Sequence, residues 1–280
     1  MPRRKTKPKG ITYFIGGFFV YFFGALYWLL KNLAKLFGFS LKQGHKQAKK
    51  IVKKSAEKKV RKSQPKMNAR YNKLKEVKKI KGNSSKFESH LLEKESTIGI
   101  ILGARGAGKS AIGMKLLENF KAKSKKKVYA MGFKKKDLPA WISVVNNIDE
   151  IANDSVVLID EGGITFSSRK SMSNANQLLS DLLMIARHKN LSVLFITQNS
   201  SNLEINALRQ ADFLILKHSS LLQKDFERKI IKDIYKSVEK DFEGFGENKE
   251  ITYVHSDKFK GFIANPLPSF WSSSVSKSFK

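Results

Sequence analysis

The chain has 280 residues, 41% of them hydrophobic, enough to build a core and to exclude a wholly disordered protein. Lys and Arg number 54 against 24 Asp and Glu, a formal net charge of +30, which raises the expectation of a polyanionic partner, nucleic acid or an anionic membrane surface. There is no cysteine, so a disulfide framework, a thiolate zinc site and a thiol nucleophile are excluded.

The excess charge is unevenly placed. Residues 1–96 hold 26 Lys and Arg against 5 acidic residues, leaving 28 against 19 for residues 97–280. Residues 1–9 form a basic tail carrying Arg3, Arg4, Lys5, Lys7 and Lys9. Residues 10–30, "GITYFIGGFFVYFFGALYWLL", contain no charge, and a helix of that length reaches about 30 Å, the thickness of a bilayer core. With Tyr13, Tyr21, Tyr27 and Trp28 supplying aromatics near its ends, the segment is expected to be a retained single-pass transmembrane helix. A cleaved signal peptide and a buried core helix are the alternatives.

Residues 31–96 read as a Lys-rich juxtamembrane linker. Between Lys42 and Lys81 there are 17 basic residues and 2 Glu. Met67, Tyr71, Leu74, Val77 and Ile80 recur at intervals of three or four, which predicts a helix after Pro65. The charge suits anionic lipid and nucleic-acid phosphates alike. "GNSSKFESHLLEKES", Gly82 to Ser96, marks the boundary of a domain expected over 97–255.

From there short apolar runs alternate with amphipathic stretches. Strands are predicted at Thr97–Gly103, Lys127–Gly132, Ser155–Asp160, Leu191–Thr197 and Asp212–His218. Helices are predicted from Lys109 to about Ala122, Asn174 to about His188, and Leu221 to about Asp241. The alternation predicts an α/β fold with a parallel-type sheet covered on both faces.

"GARGAGKS" comprises Gly103, Ala104, Arg105, Gly106, Ala107, Gly108, Lys109 and Ser110. It fits G-x-x-x-x-G-K-[ST] and lies between an apolar run and a predicted helix. Gly103, Gly106 and Gly108 let successive N–H groups turn inward around a phosphate, and the helix that follows adds its positive end. Lys109 would reach the terminal phosphates of ATP, and Ser110 would offer its hydroxyl to Mg2+. "SVVLIDEGG" ends a buried strand in Asp160 and Glu161, the first suited to Mg2+ and the second to serving as general base for an attacking water. Gln198, at the tip of "LFITQNSS", either senses the γ-phosphate or caps the next loop. The ATP-binding module must face the cytoplasm, which orients the expected span.

"GARGAGKS", "VVLIDEGG", "ARHKNLSVLFITQ" and "NALRQADFLILKHSS" together resemble the HerA/FtsK division of P-loop ATPases, including viral genome-packaging ATPases and the Zot-like branch, over roughly Thr97 to His218. The resemblance implies a RecA-like core, a homo-oligomeric ring, commonly a hexamer, and ATP-driven movement of DNA. It also implies Gln198 as the strand-four sensor and Arg187 or Arg209 as an arginine finger reaching a neighbouring subunit. Two loads stay open: DNA to be packaged or segregated, or a Zot-type assembly with a capsid or membrane-protein partner.

A last strand is predicted at Ile251–His255. Residues 256–280 read as a C-terminal tail in which "NPLPSFW" folds back to pack Phe270 and Trp271. His188, His218 and His255 have no metal-ligand spacing.

Overall fold

The computed structural model describes residues 64–161, 173–203 and 205–277, together with Gly24, residues 27–29, Lys31, Asn32 and Ser55. The chain divides into two compact units, Met1–Lys62 and Ser63–Lys280. In the first unit the few described residues are helical. Among the described residues no helix is long and apolar enough to cross a membrane. The span expected at 10–30 lies, apart from Gly24 and residues 27–29, outside them.

The second unit is built on a sheet of nine strands among the described residues. In chain order the elements are β1 (Lys75–Gly82), α1 (Ser84–Glu93), β2 (Ile98–Leu102), α2 (Lys109–Lys123), β3 (Lys127–Met131), β4 (Ile142–Val145), β5 (Ser155–Asp160), α3 (Ser173–Ala186), β6 (Leu191–Ile196), α4 (Ile205–Gln210), β7 (Phe213–Leu216), α5 (Leu221–Phe226), α6 (Lys229–Ser237), α7 (Glu239–Phe245), β8 (Ile251–Ser256), β9 (Phe259–Ala264) and α8 (Ser273–Ser276).

The strand order is β1-β9-β8-β7-β2-β6-β5-β3-β4. The six strands from β7 to β4 are parallel, and β6 stands between β2 and β5, the RecA-like order. β8, β9 and β1 extend the β7 side antiparallel, so the sheet is mixed where the sequence predicted a parallel type. For β8 and β9 the cause is local: only Asp257 and Lys258 join them, and two residues close a hairpin but cannot make a crossover.

β2, β5 and β6 are buried at every position, as strands with both faces covered must be. Alternate residues feed two cores. On one face Ile101, Val156, Leu158, Leu194 and Ile196 meet α1 and α2 through Phe87, Ile112, Leu116 and Phe120. On the other, Ile100, Leu102, Val157, Ile159 and Phe195 meet α3, α6 and α7 through Leu182, Ile231, Tyr235 and Phe242.

The folded unit reaches beyond the 97–255 span on both sides. Residues 65–74 form neither helix nor strand, and β1 follows them at the sheet edge. The stripe that suggested a helix is not a buried face, since Val77 and Ile80 are exposed. β9 instead offers β1 a partner for its backbone. This stretch is strapped across α2 by side chains that satisfy its main chain. Asn119 accepts from Asn72 N–H at 3.2 Å and donates to Asn72 O at 2.8 Å, Trp141 Nε1 donates to Met67 O at 3.0 Å, and Leu74 N–H donates to Glu88. The tail is likewise part of the fold: β9 completes the hairpin, and Phe270 packs edge-on against Trp141 with ring centroids 5.4 Å apart.

At the centre of this back face is a fully buried pair, Lys115 Nζ to Glu118 at 2.8 Å. Glu118 also accepts from Arg70 N–H at 3.2 Å, from Ser269 N–H at 3.1 Å and from Ser269 Oγ. Burial by itself would raise the Glu118 pKa, but Lys115 and the Ser269 and Arg70 donors hold it below its ordinary value. Removing one partner of such a cluster leaves a buried ammonium uncompensated. Glu118→Ala is therefore expected to cost about 3–5 kcal/mol in urea unfolding. The same variant should open the strap to trypsin at Lys66, Arg70 and Lys73 before the rest of the domain is cut; an unchanged digestion pattern would contradict this.

Candidate active site

Four parallel strands deliver the site to one edge of the sheet. Register pairs Ile101 of β2 with Ile196 of β6, Ile196 with Asp160 of β5, and Leu102 with Leu216 of β7. The residues that follow, Gly103, Glu161, Thr197 and Lys217, therefore emerge at the same level, at the carboxyl ends of the strands where open α/β sheets bind ligands.

Gly103 to Ser110 form the loop between β2 and α2. Gly103, Gly106 and Gly108 have φ of 149°, 77° and 93°, conformations that side chains disfavour. Ala104 N–H donates to His218 O at 3.0 Å, fixing the start of the loop to the end of β7, and Ala107 N–H donates to Ala104 O at 3.2 Å. Arg105, at the tip, is exposed. The first-turn amides of α2 have no intrahelical acceptor and face an anion naturally.

Lys109 is buried, and its Nζ turns back to donate to Gly103 O at 2.7 Å and Ala104 O at 2.9 Å. Burial pulls its pKa down to about 8, opposed by Asp160 and Glu161. Ser110 Oγ donates to Asp160 Oδ2 at 3.3 Å, so two oxygens suited to a hard cation stand together.

Glu161 is buried at the end of β5 and accepts from Thr197 Oγ1. Burial raises its pKa, and Thr197, Asn202, the Gln198 N–H and Lys109 act in the other direction. Gln198 is exposed; its backbone carbonyl accepts from Gln223 Nε2. It stands at the tip of β6, between the loop strand and the carboxylate strand, as the sequence placed it.

Arg187 and Arg209 are brought to neither group. Arg187 opens the turn after α3, where Lys189 O accepts from Asp154 N–H ahead of β5. Arg209 is in the last turn of α4, just before Asp212 N–H donates to Ile98 O. Both are exposed and lie at the opposite edge of the sheet, a strand's length or about 17–20 Å from the loop of their own chain.

Sequence reading passed over several supporting residues. Thr197 was visible as the neighbour of Gln198. Lys217 was visible as a lysine closing an apolar strand. Glu227 and Arg228 carried no signal: Glu227 accepts from Ser200 N–H at 2.7 Å, and Arg228 Nε donates to Ser200 O at 3.0 Å, clasping the loop after β6. That clasp also interrupts the helix predicted from Leu221 to Asp241, which is three helices, with Arg228 in extended backbone at ψ 145°.

Residues 112–244 match the family model described as zonular occludens toxin (Zot). This segment is Zot-like. It starts two residues past Ser110 and takes in Asp160, Glu161 and Gln198. No curated protein matches the chain significantly in sequence. Among solved structures, the chain is similar to B204, the DNA-packaging ATPase of Sulfolobus turreted icosahedral virus, at 17% identity over 61% of this chain and 98% of that one, TM-score 0.43. It is similar to the N-terminal domain of zonular occludens toxin from Neisseria meningitidis at 15% identity over 66% and 99%, TM-score 0.35. A third likeness is to ATPases 2 and 3 of EssC from Geobacillus thermodenitrificans, at 12% identity over 75% and 47%, TM-score 0.42.

A raised Glu161 pKa means that the folded domain keeps this proton in a range where the unfolded chain has lost it. Stability falls as pH rises through that window, and the penalty persists above it. Glu161→Gln is thus expected to keep or raise the melting temperature at neutral pH and to flatten its decline from the ordinary carboxylate range upward. A melting temperature lowered by several degrees would show that Glu161 is held ionised at no cost.

Proposed function

We propose that the chain is an ATP hydrolase whose work is done on DNA at a membrane, in packaging or segregation of viral or plasmid DNA. The observation that carries the enzymatic part is the convergence of the glycine loop, Asp160–Glu161 and Thr197–Gln198 on one sheet edge. The donor set fits a nucleoside triphosphate with its metal. Lys109 is a buried ammonium resting on the loop's own carbonyls, which it can leave for phosphate oxygens. Ser110 and Asp160 would hold Mg2+, whose charge would offset that of the phosphates.

In this reading the loop amides and Lys109 bind and orient the triphosphate. Glu161 accepts a proton from the attacking water, and Thr197 and the Gln198 N–H fix the carboxylate for that role. The exposed Gln198 side chain is free to swing toward the γ-phosphate. Glu161→Gln should bind ATP and lose turnover by about a hundredfold or more, in keeping with loss of a general base.

The DNA load rests on the net charge of +30 and on the motif resemblance. A protein load, as in a Zot-type morphogenesis or secretion ATPase with a capsid or membrane-protein partner, is favoured instead by the family match over 112–244. In both readings residues 10–30 are the proposed single-pass anchor, with the ATPase unit facing the cytoplasm, and the active form is a homo-oligomeric ring, commonly a hexamer. Since Arg187 and Arg209 cannot reach their own chain's loop, either could serve a triphosphate only on a neighbouring subunit.

ATP hydrolysis by the full chain, with and without DNA over a salt series, separates the loads. Stimulation that falls steeply with salt is expected for DNA, and turnover indifferent to DNA would support the protein load. A shortened chain for this purpose should begin at Ser63, because a start at residue 96 would remove β1, α1 and the strap. Mixing an Arg187→Ala or Arg209→Ala protein with Lys109→Ala should restore part of the activity if that arginine acts in trans; absence of rescue at every ratio rules that residue out.

A further inference from the structure

Lys217 follows β7 with none of its surface exposed. Burying an ammonium is costly unless its donors are satisfied. Here Nζ donates to Lys249 O at 2.6 Å, Ile251 O at 2.9 Å and Thr252 Oγ1 at 2.8 Å, and the Thr252 hydroxyl donates onward to Asn265 Oδ1 at 2.8 Å. All three acceptors are neutral. A residue needed only to fill space here would be apolar, as Phe213, Ile215 and Leu216 are.

This side chain also lies against two glycines of the phosphate loop. A Cβ placed on Gly103 would lie 2.6 Å from Lys217 Cβ, and one on Gly108 would lie 3.3 Å from Cε and 3.7 Å from Nζ. The stem thus runs along the floor of the loop from its first glycine to its last and sets the ammonium beside the residue before Lys109. The backbones close the same contact: Lys217 N–H donates to Leu102 O at 2.8 Å, and His218 O accepts from Ala104 N–H. Tyr235 Oη, on α6, donates to Lys217 O at 3.1 Å and fixes this strand end from the far side.

We propose that Lys217 is a positioning residue for the phosphate loop and supplies the cradle with a second, non-contacting cation, recruiting polyphosphate in proportion to its charge. The proposal rests on the loop being a nucleotide site. Lys109 touches the phosphates; Lys217 acts through the loop, holding Gly103 and Gly108 at their close approach and placing positive charge beneath the amides. In a water-poor setting such a charge is felt over several ångströms. Burial draws the Lys217 pKa down to about 7, against the pull of Glu250, so an anion above the loop would favour the charged form.

The test is equilibrium binding of ATP, ADP and AMP to the full chain and to Lys217→Met, which keeps the stem and removes the charge. The expected result is a loss graded by phosphate number, about tenfold or more for ATP, smaller for ADP and close to none for AMP. KM for ATP should rise with kcat changed by less than about threefold, as for loss of uniform binding. Wild-type ATP affinity in the variant, or an equal loss for all three nucleotides, overturns the proposal. If Lys217→Met fails to fold, Thr252→Val decides: it keeps the ammonium and removes its one side-chain acceptor, and unchanged ATP affinity there also overturns it. Failure of wild-type protein to bind ATP, or Lys109→Ala binding it normally, would instead refute the nucleotide site itself.

Discussion

The alignment of four parallel strand ends is the constraint on which the rest of the site depends. Because β6 lies between β2 and β5, Thr197 and Gln198 emerge beside the end of β2 that leads into the glycine loop and hold Glu161 without any long loop having to fold back. Burial then sets the electrostatics. Lys109 and Glu161 are each pushed by desolvation toward their neutral form, and each is partly restored by the other. Opposite charges brought into one poorly solvated pocket are less costly together than either is alone, which keeps the Glu161 carboxyl and the Lys109 ammonium within one stable edge.

The centre of the fold was legible in the sequence because its signals are local. An apolar run ending in Gly103, another ending in Asp160 and a third ending in Gln198 each needed only a window of ten residues, and the structure has strands at all three. Of the additions at the β7 side, β8 was legible as the run Ile251–His255, whereas β1 and the strap before it were not, since their reasons are remote. β1 is a strand because β9 offers an edge, although its eight residues are all exposed and four are lysine. Residues 65–74 are not the predicted helix because Glu118, Asn119 and Trp141 satisfy their backbone from elements far along the chain. The break at Arg228 depends on Ser200 and Leu203, which no helical periodicity reveals.

The helix that follows the loop explains why both strap and tail belong to the domain. α2 is buried along nearly its whole length, with Lys109 at its start and Phe120 in its last turns. A helix buried on every side usually presents only apolar residues, yet this one carries Lys115, Glu118 and Asn119 in its interior. They are tolerated because Arg70, Asn72 and Ser269 arrive to complete their hydrogen bonds. Strap, tail and helix are therefore one polar cluster, and losing either covering segment would take hydrogen bonds from Glu118 or Asn119 that the helix itself cannot replace.

This changes what the basic excess can mean. Of the 17 Lys and Arg between Lys42 and Lys81, the seven from Lys66 onward are held on the strap and on β1. Several of them already have uses inside the fold. Lys78 pairs with Asp241, and the run along β1 places charge on an open sheet edge, a device that discourages another strand from adding there. Lys81 even stands opposite Lys260 in register, a like-charged pair tolerable at an exposed edge. A polyanion is not required to explain these seven residues. The argument from charge for DNA or anionic lipid rests instead on the ten that precede them, Lys42 to Lys62, a stretch with a single Glu.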